Sequence, residues 1–138
     1  MTFREFFADK IDWKFFNFLM DRTTKYQDIG CSVKVSVLIK NGNSVNSEYT
    51  KVFCYYSSSN QSVYFDEFYD DKELKVVIPR YEKRGLFYGV SIDALRDDET
   101  YDYSKTHYMD EFIEEMSKYC DVNDVMMSTF GFILLSKK

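Results

Sequence analysis

Proline occurs once, at Pro79, glycine five times, and alanine only at Ala8 and Ala94. So few chain breakers leave little room for long loops. Histidine also occurs once, at His107. Common zinc sites and Ser–His or Cys–His dyads would all have to draw on it. It falls in the first turn of a predicted helix capped by Thr106 or Ser104, where the helix dipole disfavours an imidazolium. It therefore reads as a surface residue. The three cysteines, Cys31, Cys54 and Cys120, are odd in number and scattered, which excludes a secreted-type disulfide scaffold. Cys31 and Cys54 fall on predicted strands and read as small buried thiols. No structural metal and no cofactor is expected.

Basic residues are in deficit: 18 Lys and Arg against 23 Asp and Glu give a net charge of −5. Proteins that grip phosphate backbones carry the opposite balance, so direct nucleic-acid binding is not expected. No apolar run approaches the length of a membrane span. The start, Met1-Thr2-Phe3-Arg4-Glu5-Phe6-Phe7, lacks the basic opening and apolar stretch of a signal peptide. The chain is expected to be soluble and cytoplasmic. No Gly-Lys-Ser/Thr phosphate loop is present, and Gly85-Leu86-Phe87-Tyr88-Gly89 is apolar and strand-like.

What is abundant is aromatic. Of the 138 residues 45% are hydrophobic and 19% are Phe, Tyr or Trp, so a disordered chain is excluded. Residues 1–138 are expected to form a single domain that buries about two-thirds of its unfolded surface around a Phe- and Tyr-built core. The richness in Lys, Asn, Asp, Phe and Tyr matches AT-rich coding, as in many phages, viruses and low-GC bacteria.

Thr2 and Glu5 form a capping box that starts a helix at Phe3. Asp12 can cap a second stretch, stapled by Ile11 and Phe16. Helix is predicted to about Arg22, with a break near Asp9, and Trp13–Met20 is apolar nearly all round. From Cys31 the period changes to two: Cys31, Val33, Val35, Val37 and Ile39 form one face of a strand. Asn41-Gly42 signals a turn, but a two-residue hairpin there muddles the next strand, so a loop to about Ser47 fits better. Further strands are predicted over 49–56, 63–65, Leu74–Ile78 (ending at Pro79) and Leu86–Ile92. Tyr108, Met109, Phe112, Ile113, Met116, Tyr119 and Cys120 then follow helical spacing. Asp121 caps a short helix to about Met127, and Phe130–Leu135 is the last strand. The class is α+β: an antiparallel sheet of five to six strands, with an N-terminal helix and C-terminal helices on one face.

Two acidic groups stand out. Asp97, Asp98, Glu99 and Asp102 surround Tyr101 and Tyr103 in a predicted loop, without the glycine bend or distant bidentate Glu of a calcium loop. Asp110, Glu111, Glu114 and Glu115 crowd the outer face of the last long helix, where they are expected to face water. Four charges over roughly 7.5 Å of helix approach the charge spacing of duplex DNA, about one per 1.7 Å. A second pattern points to an enzyme. Glu73-Leu74-Lys75 opens a predicted strand, with Asp66 and Asp70 upstream. This resembles the motif of magnesium nucleases of the restriction-endonuclease type. The resemblance implies metal-holding carboxylates at Asp66 and Glu73, and a Lys75 that orients the attacking water.

The expected function is non-enzymatic: a protein-binding module that presents Asp97, Asp98, Glu99, Tyr101, Asp102, Tyr103, Asp110, Glu111, Glu114 and Glu115 to a partner with a basic surface. A phage or mobile-element inhibitor of a host nucleic-acid-binding or defence enzyme fits this description. The alternatives are a small magnesium-dependent nuclease and an intracellular binder of small ligands with an aromatic pocket. The next candidate interface is a strand face carrying Tyr49, Phe53 and Tyr55.

Overall fold

The computed structural model describes residues 3–40, 49–57, 62–65, 71–93, 107–126 and 132–137. In chain order the elements are α1 (Phe3–Phe7), α2 (Trp13–Asp28), β1 (Ser32–Lys40), β2 (Tyr49–Ser57), β3 (Ser62–Phe65), α3 (Asp71–Arg84), β4 (Phe87–Asp93), α4 (His107–Met116), β5 (Cys120–Met126) and β6 (Phe132–Lys137). The strands form one sheet in the order β3-β2-β1-β4-β6-β5, with every neighbour antiparallel. The α+β class with helices gathered on one face of an antiparallel sheet is therefore the observed architecture. Thr2, the Asn41-Gly42 turn, Ser104 and Thr106 lie outside the described residues. Lys40 does stand opposite Tyr49, the pairing a longer connection requires.

The core is one continuous cluster. Phe7, Phe15, Phe16, Leu19 and Tyr26 from the first two helices, with Ile11 from the turn between them, meet Val33, Val35, Val37 and Ile39 of β1, Tyr88, Val90 and Ile92 of β4, and Ile133 and Leu135 of β6. Met109, Phe112 and Met116 of α4 close it on one side, and Leu74 and Val77 of α3 join it too. The alternation of β1 is the cause: odd-numbered residues are buried under the helices while Lys34 alternates away from them.

The break expected near Asp9 is real. α1 ends at Phe7, and Asp12 then starts α2 as its N-cap, its carboxylate accepting the Phe15 N–H at 3.0 Å. Ile11 and Phe16, on either side of the cap, are both buried. α2 runs on past Arg22 to Asp28, because Thr23 and Tyr26 continue its buried stripe. It stops at Gly30, whose φ of 90° suits glycine. There Cys31 N–H returns to Tyr26 O and Gly30 N–H to Gln27 O, both at 3.0 Å, a Schellman closure.

Two predicted elements are corrected. Residues 74–78 are not a strand but lie within α3, which carries Pro79 inside it. Leu74 and Val77 are buried, and Ile78 and Tyr81 pack against the core, an i, i+3, i+4, i+7 stripe. Val76, which strand alternation would bury, is 49% exposed. Likewise, the segment after Asp121 is not a helix but the edge strand β5. A bulge near Asn123 lets Val122 stand opposite Leu135 and Val125 opposite Ile133. One extra residue turns a period of two into a spacing of three, which imitates a helix. β2 has the same irregularity: the register shifts between Val37 and Leu38, so Phe53 pairs with Val37 but Lys51 with Leu38. Tyr49, Phe53 and Tyr55 consequently do not share one exposed face; Phe53 is buried beneath Trp13 and Phe16.

Candidate functional site: the outer surfaces of α2 and α4

Of the predicted partner-binding residues, Asp97, Asp98, Glu99, Tyr101, Asp102 and Tyr103 lie outside the described residues. Asp110, Glu111, Glu114 and Glu115 all lie on α4, whose other side packs Met109, Phe112 and Met116 into the core. The four carboxylates are not equivalent. Asp110 and Glu114 are exposed, one turn apart, and bond to no other described residue. Glu111 and Glu115 instead reach across to α2. The Glu115 carboxylate bridges Arg22 Nη1 at 3.2 Å and Lys25 Nζ at 2.9 Å, and its side chain is only 23% exposed. Glu111 accepts the Tyr26 hydroxyl at 3.2 Å and lies 3.7 Å from Lys25 Nζ. The expectation that all four face water thus fails for Glu115 and in part for Glu111. The helix's own sequence carries no sign of its neighbour α2, which supplies two cations. Burial, with the Glu111 carboxylate beside it, pushes the Tyr26 phenol far up, so Tyr26 stays a hydrogen-bond donor.

The second surface surrounds the start of α2. Asp12 is its junction. Besides capping the helix, its carboxylate receives Lys137 Nζ from the end of β6 at 3.3 Å. Its own N–H donates to the Tyr88 hydroxyl of β4 at 2.9 Å. The Phe15 N–H, reinforced by the Lys137 ammonium, holds the Asp12 carboxyl below its ordinary value of 3.8 against the opposing effect of burial. A depressed carboxyl pKa stabilises the fold above the unfolded value and ceases to do so as pH falls through the folded one. Asp12→Ala is therefore expected to cost about 1–2 kcal/mol near neutrality. Urea unfolding across a pH series checks the linkage: the gap between the wild type and the variant should be constant above about pH 5 and narrow below about pH 3.5. A gap that persists unchanged in acid would overturn this role.

Beside Asp12 lies an open, mostly apolar hollow of about 340 Å³, lined by Lys14, Phe15, Phe18, Tyr119 and Lys137. Phe15 rests against Tyr88 with ring centroids 4.9 Å apart, Phe18 stacks on Phe15 at 6.2 Å, and Tyr119 meets Phe18 edge-on at 5.8 Å. The Arg22 guanidinium lies over both Phe18 and Tyr119, 5.1 and 5.0 Å from their centroids. Its Nε is buried with no hydrogen-bond partner among the described residues, while the rest of the group is held by Glu115 and the two rings. None of the hollow's lining residues was singled out in the sequence as a site residue.

Glu73-Leu74-Lys75, the core of the nuclease-like pattern, lies within the helix α3 and does not open a strand. Asp66 and Asp70 lie outside the described residues. Cys31, Cys54 and Cys120 are buried and form no disulfide with one another. Among the described residues no three His, Cys, Asp or Glu side chains group closely enough to hold a metal ion. No described helix is long and apolar enough to cross a membrane. Comparison of the chain with family models, with curated proteins and with solved structures yields no match.

Proposed function

We propose that the chain is a non-enzymatic protein-binding module that works in the cytoplasm and presents an acidic surface to a partner with a basic one. The observation that carries this reading is the pair Asp110 and Glu114. They are exposed, a turn apart, bonded to no other described residue, and held on a helix whose far side is locked into the core. The segment carrying Asp97, Asp98, Glu99, Tyr101, Asp102 and Tyr103 runs directly into this helix in the chain and would add charge and aromatic anchors. Charges at such a rim set encounter rate and register, and a net charge of −5 extends the same field. Glu111 and Glu115 support the surface from behind, through Lys25 and Arg22, and do not contact the partner first. The coding bias towards Lys, Asn, Asp, Phe and Tyr fits a phage or other mobile element. The partner in this reading is a host enzyme that handles nucleic acid, and the module inhibits it.

The test compares binding with folding. Asp110→Lys with Glu114→Lys is expected to unfold at the wild-type denaturant midpoint, since both side chains face water. Captured from host lysate and quantified by mass spectrometry, a basic partner retained by the wild type should fall at least about tenfold on the double variant, and less so as salt rises. Tyr101→Ala and Tyr103→Ala should each speed its dissociation. A partner retained equally by all variants places the interface elsewhere.

A further inference from the structure

We propose that the hollow between α2, the turn after α4 and the end of β6 is a binding site for a small planar aromatic anion. It lies apart from Asp110 and Glu114 and uses neither.

The floor determines the shape of the ligand. Phe15, Phe18 and Tyr119 present ring faces and edges at spacings of 5.8–6.2 Å, which another flat ring can extend by offset or edge-on stacking. The floor is also fixed in advance. Phe15 is wedged against Tyr88, whose hydroxyl is tied to the Asp12 N–H, and Phe18 and Tyr119 are both covered by an Arg22 guanidinium that Glu115 anchors. A ligand therefore need not order these side chains as it binds, which removes a common cost of association. The volume of about 340 Å³ sits at the low end of small-molecule sites, the scale of one or two fused rings with a short acidic arm.

The rim determines the charge. Lys14, on the first turn of α2, and Lys137, near the end of β6, both line the hollow. The Lys14 side chain is exposed and its ammonium pairs with no other described residue, although its backbone N–H helps hold Asp12. Lys137 shares Asp12, but that pair is exposed and weak, so a bound anion can draw on the same ammonium at little loss. Two ammonium groups against one carboxylate leave the rim with a positive excess on a chain whose net charge is −5. A local excess of that sign selects anions from solution. A neutral ring would gain from the floor alone, and a cation would be repelled. Carboxylate and phosphate satisfy this chemistry alike, so the class is an aromatic ring bearing either group.

The experiment titrates the full chain with three probes and follows amide and aromatic signals by two-dimensional NMR. Indole-3-acetate supplies a ring with a carboxylate, adenosine 5′-monophosphate a ring system with a phosphate, and indole-3-acetamide the same indole without charge. At least one anion should saturate, with the largest shifts at Lys14, Phe15, Phe18 and Tyr119. Whichever does so identifies the acidic group. The acetamide should bind at least tenfold more weakly than indole-3-acetate if the carboxylate is the one that binds. Lys14→Glu with Lys137→Glu should weaken binding at least tenfold, and Tyr119→Ala, at a half-exposed position, should weaken it without changing the charge. Because Lys137→Glu also breaks the Asp12 pair, Lys14→Glu alone is the check on folding and should still weaken binding several-fold at an unchanged unfolding midpoint. The proposal is overturned if neither anion shifts these signals at millimolar concentration, if the neutral amide binds as tightly as the anion that saturates, or if the shifts centre elsewhere.

Discussion

Phe112→Ala is expected to cost about 3–5 kcal/mol of folding stability, the range for deleting a buried phenylalanine ring. Phe112 has no exposed surface and lies at the centre of the buried stripe of α4, between Met109 and Met116. Its ring meets Tyr26 edge-on with centroids 5.9 Å apart, and Tyr26 is itself buried where α2 faces α4. The surroundings are strands and helices with fixed backbones, so they can collapse only partly into the space, and the cavity adds to the lost transfer energy. Phe112→Leu keeps most of the volume and should cost below about 1.5 kcal/mol. Urea unfolding followed by far-UV circular dichroism measures both variants. An alanine variant that loses less than about 1 kcal/mol would mean that α4 does not dock through this ring. Because α4 carries Asp110 and Glu114, the same variant should also blur the surface they form, whereas the leucine variant should not.

The parts of this fold that were legible in the sequence are those where one local rule acts without interference. β1 places Val33, Val35, Val37 and Ile39 at every second position, since its helix-facing side must bury them. α4 announces itself by the spacing of Met109, Phe112 and Met116, and α2 by the Asp12 cap and its staple. The two misread elements are places where two rules conflict. In α3 the apolar residues Leu74, Val77, Ile78 and Tyr81 have helical spacing, but Leu74, Val76 and Ile78 also alternate, and Pro79 argues against a helix interior. Helix formation wins because the first set reaches the core and Val76 does not. In β5 the bulge near Asn123 hides the period of two.

The candidate sites were legible in proportion to how local they are. That α4 carries a run of acids is a fact of neighbouring residues. Which acids remain free depends on Arg22 and Lys25, some 90 positions earlier in the chain, and on α2 continuing to Asp28 through a polar stretch. The hollow is less local still, drawing on residues 14–18, 119 and 137. Its single trace in the sequence is that Trp13–Met20 is apolar on more sides than one buried stripe needs. Phe18 is part of that surplus, and it stacks beside the hollow.

Glu111→Lys with Glu115→Lys is expected to destabilise the fold by about 2 kcal/mol, whereas the same reversal at Asp110 and Glu114 should change stability by less than about 0.5 kcal/mol. Both pairs sit on one helix, and both changes shift the net charge equally, so overall charge cannot explain a difference between them, and helix propensity, which differs only for Asp110, contributes a few tenths of a kcal/mol at most. What differs is the facing element. Reversal at Glu115 removes the carboxylate shared by Arg22 and Lys25, and sets a third cation beside them on a side chain that is mostly covered. Reversal at Glu111 takes the acceptor from the Tyr26 hydroxyl, which must stay protonated at any physiological pH and would be left a buried donor without a partner. Lys25 and its new neighbours can swing partly into water, which keeps the cost well below the unscreened Coulomb value for charges about 4 Å apart. The electrostatic share should shrink as salt is raised from about 0.05 to 1 M, while the share from Tyr26 should not. Chemical unfolding of both double variants at the two salt concentrations separates these contributions. Equal stability of the two double variants would show that α2 and α4 are held by their apolar faces alone, and would return Glu111 and Glu115 to the acidic surface open to a partner.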